Sequence, residues 1–234
     1  MRQKMIILIL LNSMIFYGCQ NEKTSDSAIS VENAKPVINT DSLALIYWQS
    51  QLDSIQPFLD SLHDYFDLKS QNLNGRSYYH KNWYGAYSIA DDALMSGVDS
   101  IGNFFMISNV RGGSEPYNHY GFELHVEDSV YHINHESSYL EMNDPMMLIC
   151  ACAWEVNFYQ GEKVDELAKV ISKSNDAHIK AKFLGTNRNK PFTIGQRDLA
   201  GIKDSYQLSL LIKDSLSFVS KIDSLNQILS GISQ

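Results

Sequence analysis

Two stretches, one near each end of the chain, repeat apolar residues at alternating spacings of three and four. The first follows Thr40 or Asp41, either of which is a plausible N-cap, and extends to about Lys69. The second begins at Asp198 and runs to the last residues of the chain. Because these spacings place apolar side chains on one face of a helix, we predict a long amphipathic helix at each end.

The apolar seams of these two helices are suited to pack on each other. The first seam consists of Leu45, Trp48, Leu52, Ile55, Leu59, Leu62 and Phe66. The second consists of Leu211, Phe218, Ile222, Leu225, Leu229 and Ile232. A coiled coil with a partner is the alternative, but we expect the seams to form this domain's own core. Pro57 removes a backbone donor, so we expect a kink or a break near Gln56.

Between the helices, from Ser77 to Tyr159, the apolar period changes to two, which is typical of strands. The clearest hairpin alternates Phe122, Leu124 and Val126 with Glu123, His125 and Glu127, and it resumes the alternation from Val130 to Asn134. With Asp128-Ser129 as its two-residue loop, Leu124 would face Ile133 and His125 would face His132.

The remaining elements complete an α+β prediction. Residues Asn103–Val110 are predicted to form a strand. Residues 146–159 fit either a helix or a strand, and we choose the strand because the second half of this segment is rich in β-branched and aromatic residues. Glu162–Ser174 is a helix, and two short strands follow at 178–184 and 191–194. Because strands and helices come in separate blocks, we predict a largely antiparallel central sheet flanked by the N-terminal and C-terminal amphipathic helices.

One face of the predicted hairpin contains the most specific candidate for a chemical site in the sequence. His125, His132 and Glu123 would lie on adjacent strands, and neutral imidazole and carboxylate are suitable ligands for zinc. The alternative is a solvated polar sheet face. The sequence contains no His-Glu-x-x-His and no Cys-x-x-Cys motif, so this trio is a hypothesis for a metal site, and we expect no other cofactor and no catalytic residue.

The first eighteen residues read as a cleavable targeting segment. Arg2 and Lys4 precede an apolar run from Met5 to Tyr17, and this run is too short to span about 30 Å of hydrocarbon comfortably. Gly18 and Cys19 follow it. This pattern resembles bacterial lipoprotein signal peptides, and the resemblance implies that Cys19 is lipidated, for example with palmitate, and becomes the first mature residue.

This interpretation divides the chain into three parts. Residues 1–18 are the signal peptide, residues 19–40 are a lipidated flexible tether, and residues 41–234 are a single α+β globular domain. The resemblance implies a lipid-anchored location in the cell envelope, at the outer membrane, facing either the periplasm or the exterior. The N-terminal lipid would then be the link to the membrane.

The charge of the mature chain argues against two kinds of partner. The full chain has 19 basic and 27 acidic residues, and loss of Arg2 and Lys4 with the signal changes the net charge from −8 to −10. An acidic protein lacks the positive footprint that nucleic acids and anionic lipids require, so we expect no nucleic-acid partner.

These observations favour a non-catalytic binding or structural module of the cell envelope, with a possible protein partner. One version is an immunity-like inhibitor whose acidic face blocks a basic toxin. The alternative is an envelope hydrolase, with possible assistance from a metal at His125, His132 and Glu123.

Overall fold

The structure, a computed structural model, describes residues 40–71, 75–81, 92–111, 117–134, 154–175, 179–186 and 188–232. The predicted signal peptide, Cys19, most of the predicted tether and the predicted strand residues 146–153 lie outside these residues. The described helices are α1 (Thr40–His63), α2 (Glu162–Lys173) and α3 (Gln196–Ile232). The described strands are β1 (Phe66–Gln71), β2 (Gly75–His80), β3 (Ala93–Asp99), β4 (Phe104–Arg111), β5 (His119–Val126), β6 (Ser129–Asn134), β7 (Trp154–Gln160), β8 (Ile179–Gly185) and β9 (Lys190–Ile194).

The strands form two antiparallel sheets. The first has five strands in the order β1-β2-β3-β4-β7, and the second has four in the order β6-β5-β8-β9. The α+β fold with flanking terminal helices is therefore confirmed, but the single central sheet that we predicted is two. The difference arises from the pairings of β4 with β7 and of β5 with β8, which join strands distant in the chain.

The two long helices pack against each other in antiparallel directions, as their seams predict. Trp48 of α1 lies 5.6 Å from Phe218 of α3, measured between ring centroids. Further along, Leu59 and Leu62 share a buried cluster with residues of α3, and that cluster continues onto β1 and β3. Among the helices that the structure describes, none has the length and apolar character needed to cross a membrane.

The first helix departs from its prediction in two respects. It continues through Pro57 as one helix, so the predicted break is wrong. It also ends at His63, before the predicted Lys69, and Phe66 begins β1. The reason is that the Tyr65 N–H donates to the Leu62 carbonyl oxygen in a closing turn, after which β1 pairs along its length with β2.

The β5–β6 hairpin forms, with a loop one residue earlier than predicted. Glu127 and Asp128 are the loop residues, and Glu127 has the positive φ of 54° that a tight hairpin turn requires. The register therefore pairs Glu123 with His132, and the predicted pairing of His125 with His132 is wrong. Moving the loop by one residue shifts the pairing of the two strands by two residues. Because side chains alternate with a period of two, every side chain keeps its predicted face.

The main core lies between the sheets, under α2 and the first turns of α3. Its largest fully buried side chains are Leu94, Phe104, Met106, Phe122, Leu124, Leu167, Ile171, Ile179, Phe183, Ile194 and Ile202. This core leaves one face of β5, β6 and β8 outside, and that face carries polar side chains together with the exposed Val130.

Candidate functional site

The outward face of the four-stranded sheet brings together the three residues predicted as metal ligands. Antiparallel pairing places His132, Glu123 and Lys182 in one row across β6, β5 and β8. The Glu123 carboxylate lies 2.7 Å from His125 Nε2 and 3.5 Å from His132 Nδ1. Its side chain is 10% exposed, since the two imidazoles and the lysine cover it.

A lysine that the sequence analysis did not select supplies the cation of this cluster. Lys182 Nζ lies 2.8 Å from Glu123 Oε1. Hydrogen bonds from Lys182 and then from His125 lower the pKa of Glu123 below its ordinary value of 4.5, although burial opposes them. The carboxylate is therefore ionised at neutral pH, with the ammonium as its counter-ion.

The same contact bears on the metal hypothesis. A metal ion bound to Glu123 Oε1 would have to compete with the Lys182 ammonium for that oxygen. Across the described ranges, no group of three or more histidine, cysteine, aspartate or glutamate side chains is arranged to hold a metal ion. The metal site stays a prediction, and we derive no chemistry from it.

A second polar cluster lies inside the protein and links the two sheets. Ser108 Oγ of β4 lies 2.6 Å from His119 Nε2 of β5, and His119 Nδ1 lies 3.1 Å from Glu155 Oε2 of β7. The Tyr159 hydroxyl lies 3.1 Å from Ser108 Oγ. The tautomer with its proton on Nδ1 satisfies both ring nitrogens, since Nδ1–H donates to Glu155 and Nε2 accepts from Ser108.

A bulge in β5 turns His119 towards the interior. Strict alternation would place His119 on the outward face with Glu123, but the pairing of β5 with β8 shifts register between His119 and Gly121. As a result His119 is buried and Tyr120 is 46% exposed. At Gly121 a Cβ atom would collide with the Ile133 carbonyl oxygen, so the close approach of β6 requires glycine.

Glu155 receives three hydrogen-bond donors. Besides His119 Nδ1, the backbone N–H groups of Asn118 and His119 donate to it over 2.9 Å and 2.6 Å. Burial acts to raise the pKa of Glu155, but the hydrogen bonds from His119 and from the two backbone N–H groups outweigh it, so the pKa lies below its ordinary value. Burial also raises the pKa of Tyr159 to about 12, so its hydroxyl remains protonated and donates to Ser108.

The hydrogen-bond order serine, histidine, carboxylate is that of acyl-transfer enzymes, but its setting differs from theirs. A nucleophile must meet its substrate, and Ser108 is 0% exposed. The side chain of His119 is also 0% exposed. In this arrangement the cluster satisfies buried polar groups and ties β4 and β7 to β5.

An open cleft of about 700 Å³ lies beside the first turns of α2. Its walls include Phe104, Glu162, Asp165, Glu166, Lys169 and Tyr206. Burial raises the pKa of Asp165, while Lys213, 3.8 Å away, opposes this effect. The cleft is open, and three carboxylates and one lysine line it.

Sequence reasoning missed Ser108, Glu155 and Lys182. Alternation along 178–184 does place Lys182 on an outward face, but the partner strand is not visible in the sequence. For Glu155 the sequence pattern points the wrong way, because the apolar residues Trp154, Val156 and Phe158 alternate along its strand and indicate the other side as the core side. The opposite side, with Asn157 and Tyr159, is more deeply buried.

The predicted ligands thus converge on the sheet surface, and His119, which lies near them in sequence, belongs to the buried cluster. No protein-family model, curated protein or solved structure matches this chain.

Proposed function

We propose that this chain is a lipid-anchored protein of the cell envelope with a non-catalytic binding or structural role. The observation that carries the proposal is the apolar run Met5–Tyr17, followed by Gly18 and Cys19. Acyl chains on Cys19 would hold the protein at a bilayer, because each buried CH₂ group contributes about 0.8 kcal/mol. The protein would reside at the outer membrane, facing the periplasm or the exterior.

Two contacts support a role without catalysis. The buried serine of the Ser108–His119–Glu155 cluster has no exposed surface. On the sheet surface, Lys182 neutralises Glu123. The polar groups of these two clusters therefore find their partners within the protein, which suits a structural role.

The partner of such a protein would be another protein, engaged through an acidic surface. Helix α1 contains Asp41, Asp53 and Asp60 but no lysine or arginine. Asp53 and Asp60 are exposed and accept hydrogen bonds from glutamine side chains one turn earlier. An immunity-like inhibitor of a basic toxin is the specific version of this proposal, with charge complementarity as its support.

The anchor is tested by labelling cells with radioactive palmitate and separating membrane from soluble proteins. We expect the wild-type chain to take up label and to sediment with membranes, and the Cys19→Ser variant to lose both properties. Cys150→Ser serves as the control, because it removes a cysteine outside the signal pattern. Membrane retention of Cys19→Ser would contradict the anchor.

The binding role is tested by affinity capture from envelope extract, with the mature chain as bait. We expect a stoichiometric protein partner whose retention falls as salt is raised, because exposed charges are screened. The double variant Asp53→Asn/Asp60→Asn keeps the shape of α1 and removes two charges, so it should bind more weakly. Equal retention of both baits would contradict an acidic binding surface.

An envelope hydrolase is the second candidate, and the order of Ser108, His119 and Glu155 is the observation that favours it. A fluorophosphonate probe tests it, because such probes label activated serines. Labelling of the wild type and not of Ser108→Ala would support the hydrolase and contradict our leading proposal. For the metal-assisted version, zinc should raise the melting temperature of the wild type and not that of His125→Ala.

A further inference from the structure

The antiparallel pair of α1 and α3 has one end that lies near the attachment point of the predicted tether. Lys221 Nζ of α3 lies 3.7 Å from the centre of the Trp48 ring of α1, so the start of α1 lies beside the end of α3. We call residues 40–48 and 222–231 the helix-pair tip. Thr40 is the first residue of α1, and the predicted tether from Cys19 joins the helix there.

The helix-pair tip exposes large apolar side chains. Leu43, Ile46 and Tyr47 of α1 are 53%, 65% and 52% exposed, and Ile228 of α3 is 49% exposed. The three residues of α1 lie at positions i, i+3 and i+4, so they share one face of the helix. That face is directed away from the seam that packs on α3.

The tip is also poor in charge. Of its nineteen residues only Asp41 and Asp223 are charged, whereas 20% of the whole chain is charged. Helical surfaces that face water normally carry charged side chains opposite their apolar stripe. A surface with exposed aliphatic residues, a tyrosine and few charges matches the composition found at membrane interfaces.

We propose that the helix-pair tip docks on the lipid bilayer and inserts the exposed side chains of Leu43, Ile46 and Tyr47 into the membrane–water interface. This inference rests on the proposed lipid anchor. The tether is the reason for choosing a bilayer as the occupant: only twenty residues lie between Cys19 and Thr40. A random coil of that length spans on the order of 25 Å, so the anchor keeps the tip close to the membrane surface.

The net charge of the protein indicates which lipid headgroups the tip would contact. A mature chain of net charge −10 is repelled by anionic headgroups, so the docking surface suits zwitterionic lipid. The contact would orient the molecule with its sheets away from the membrane. The outward face of β5, β6 and β8 would then be available to the aqueous compartment.

The test uses the lipidated mature protein in phosphatidylcholine vesicles with and without brominated acyl chains, which quench tryptophan fluorescence at short range. Two variants each add one indole on α1, Leu43→Trp at the tip and Phe58→Trp away from it. These sites are matched in exposure, at 53% and 51%, and lie about 22 Å apart along the helix axis. The signal of the added indole is the difference from the parent protein.

We expect brominated lipid to quench about half or more of the added fluorescence of Leu43→Trp, because interfacial helices bury their apolar face in the acyl boundary. The added fluorescence of Phe58→Trp should not change. Combining Ile46→Asp with Leu43→Trp should restore the fluorescence, since it places a charge in the inserted face.

Other outcomes overturn the proposal. Mass spectrometry of the same sample establishes whether Cys19 carries acyl chains, and their absence would overturn both the anchor and the tip contact. Acylated protein without quenching at Leu43→Trp would overturn the tip contact alone. Equal quenching at both sites would indicate a helix lying flat on the membrane. Cross-linking of unquenched tips into dimers would assign the surface to a second copy of the chain.

Discussion

At the scale of single residues, Glu155 makes the most consequential contacts in the buried cluster. It accepts from two backbone N–H groups and from His119, and its side chain is 13% exposed. We expect Glu155→Gln to lower the free energy of unfolding at pH 7 by about 2 kcal/mol, because hydrogen bonds to a charged group contribute about 1.5–3 kcal/mol. Urea unfolding of both proteins measures this difference.

The pH dependence of that difference follows from the lowered pKa of Glu155. A carboxyl group whose pKa is lower in the folded state stabilises the fold above its ordinary pKa of 4.5, and this contribution is lost as the pH falls through the folded value. The difference between Glu155→Gln and the wild type should therefore shrink from pH 7 to pH 3. Glu166→Gln, at an exposed position of α2, is the control and should show little effect at either pH. A pH-independent difference would contradict the assignment.

At the scale of elements, the bulge in β5 decides which side His119 faces. We expect Gly121→Ala to destabilise the protein by about 1–3 kcal/mol, because the new Cβ must displace the backbone of β6. Thermal unfolding measures the effect. Gly231→Ala is the matched control, since a Cβ there meets nothing within 4 Å and alanine favours the helix. Equal melting temperatures for the two variants would show that β6 moves aside without cost.

Most elements were predictable because their signals are local. The seams of α1 and α3, the strand β4 and the β5–β6 hairpin all follow from the spacing of apolar residues. Pro57 does not break α1, because packing on α3 holds the helix together across it. The candidate site was predictable in part: Glu123, His125 and His132 share a face, since a hairpin brings them together within ten residues.

At the scale of the whole molecule, the excess of acidic residues is the dominant electrostatic feature. Like charges repel each other in the compact state, and salt screens that repulsion. We expect the melting temperature of the mature chain to rise by about 2–4 °C between low and moderate salt, which corresponds to about 1 kcal/mol for a domain of this size. Asp53→Asn/Asp60→Asn should show a smaller rise. A melting temperature that falls with salt would indicate that ion pairs such as Glu123 with Lys182 outweigh the repulsion.

The α+β class, the two terminal helices, the β5–β6 hairpin and the acidic charge are predictable from the sequence alone, because each depends on neighbours in the chain or on composition. The folded structure is needed to show that the strands form two sheets, that Lys182 meets Glu123, and that Ser108, His119 and Glu155 meet in the interior. All three depend on the same physics. Which distant strands pair depends on how the whole core packs, and a one-residue bulge is enough to reverse the side on which a histidine lies.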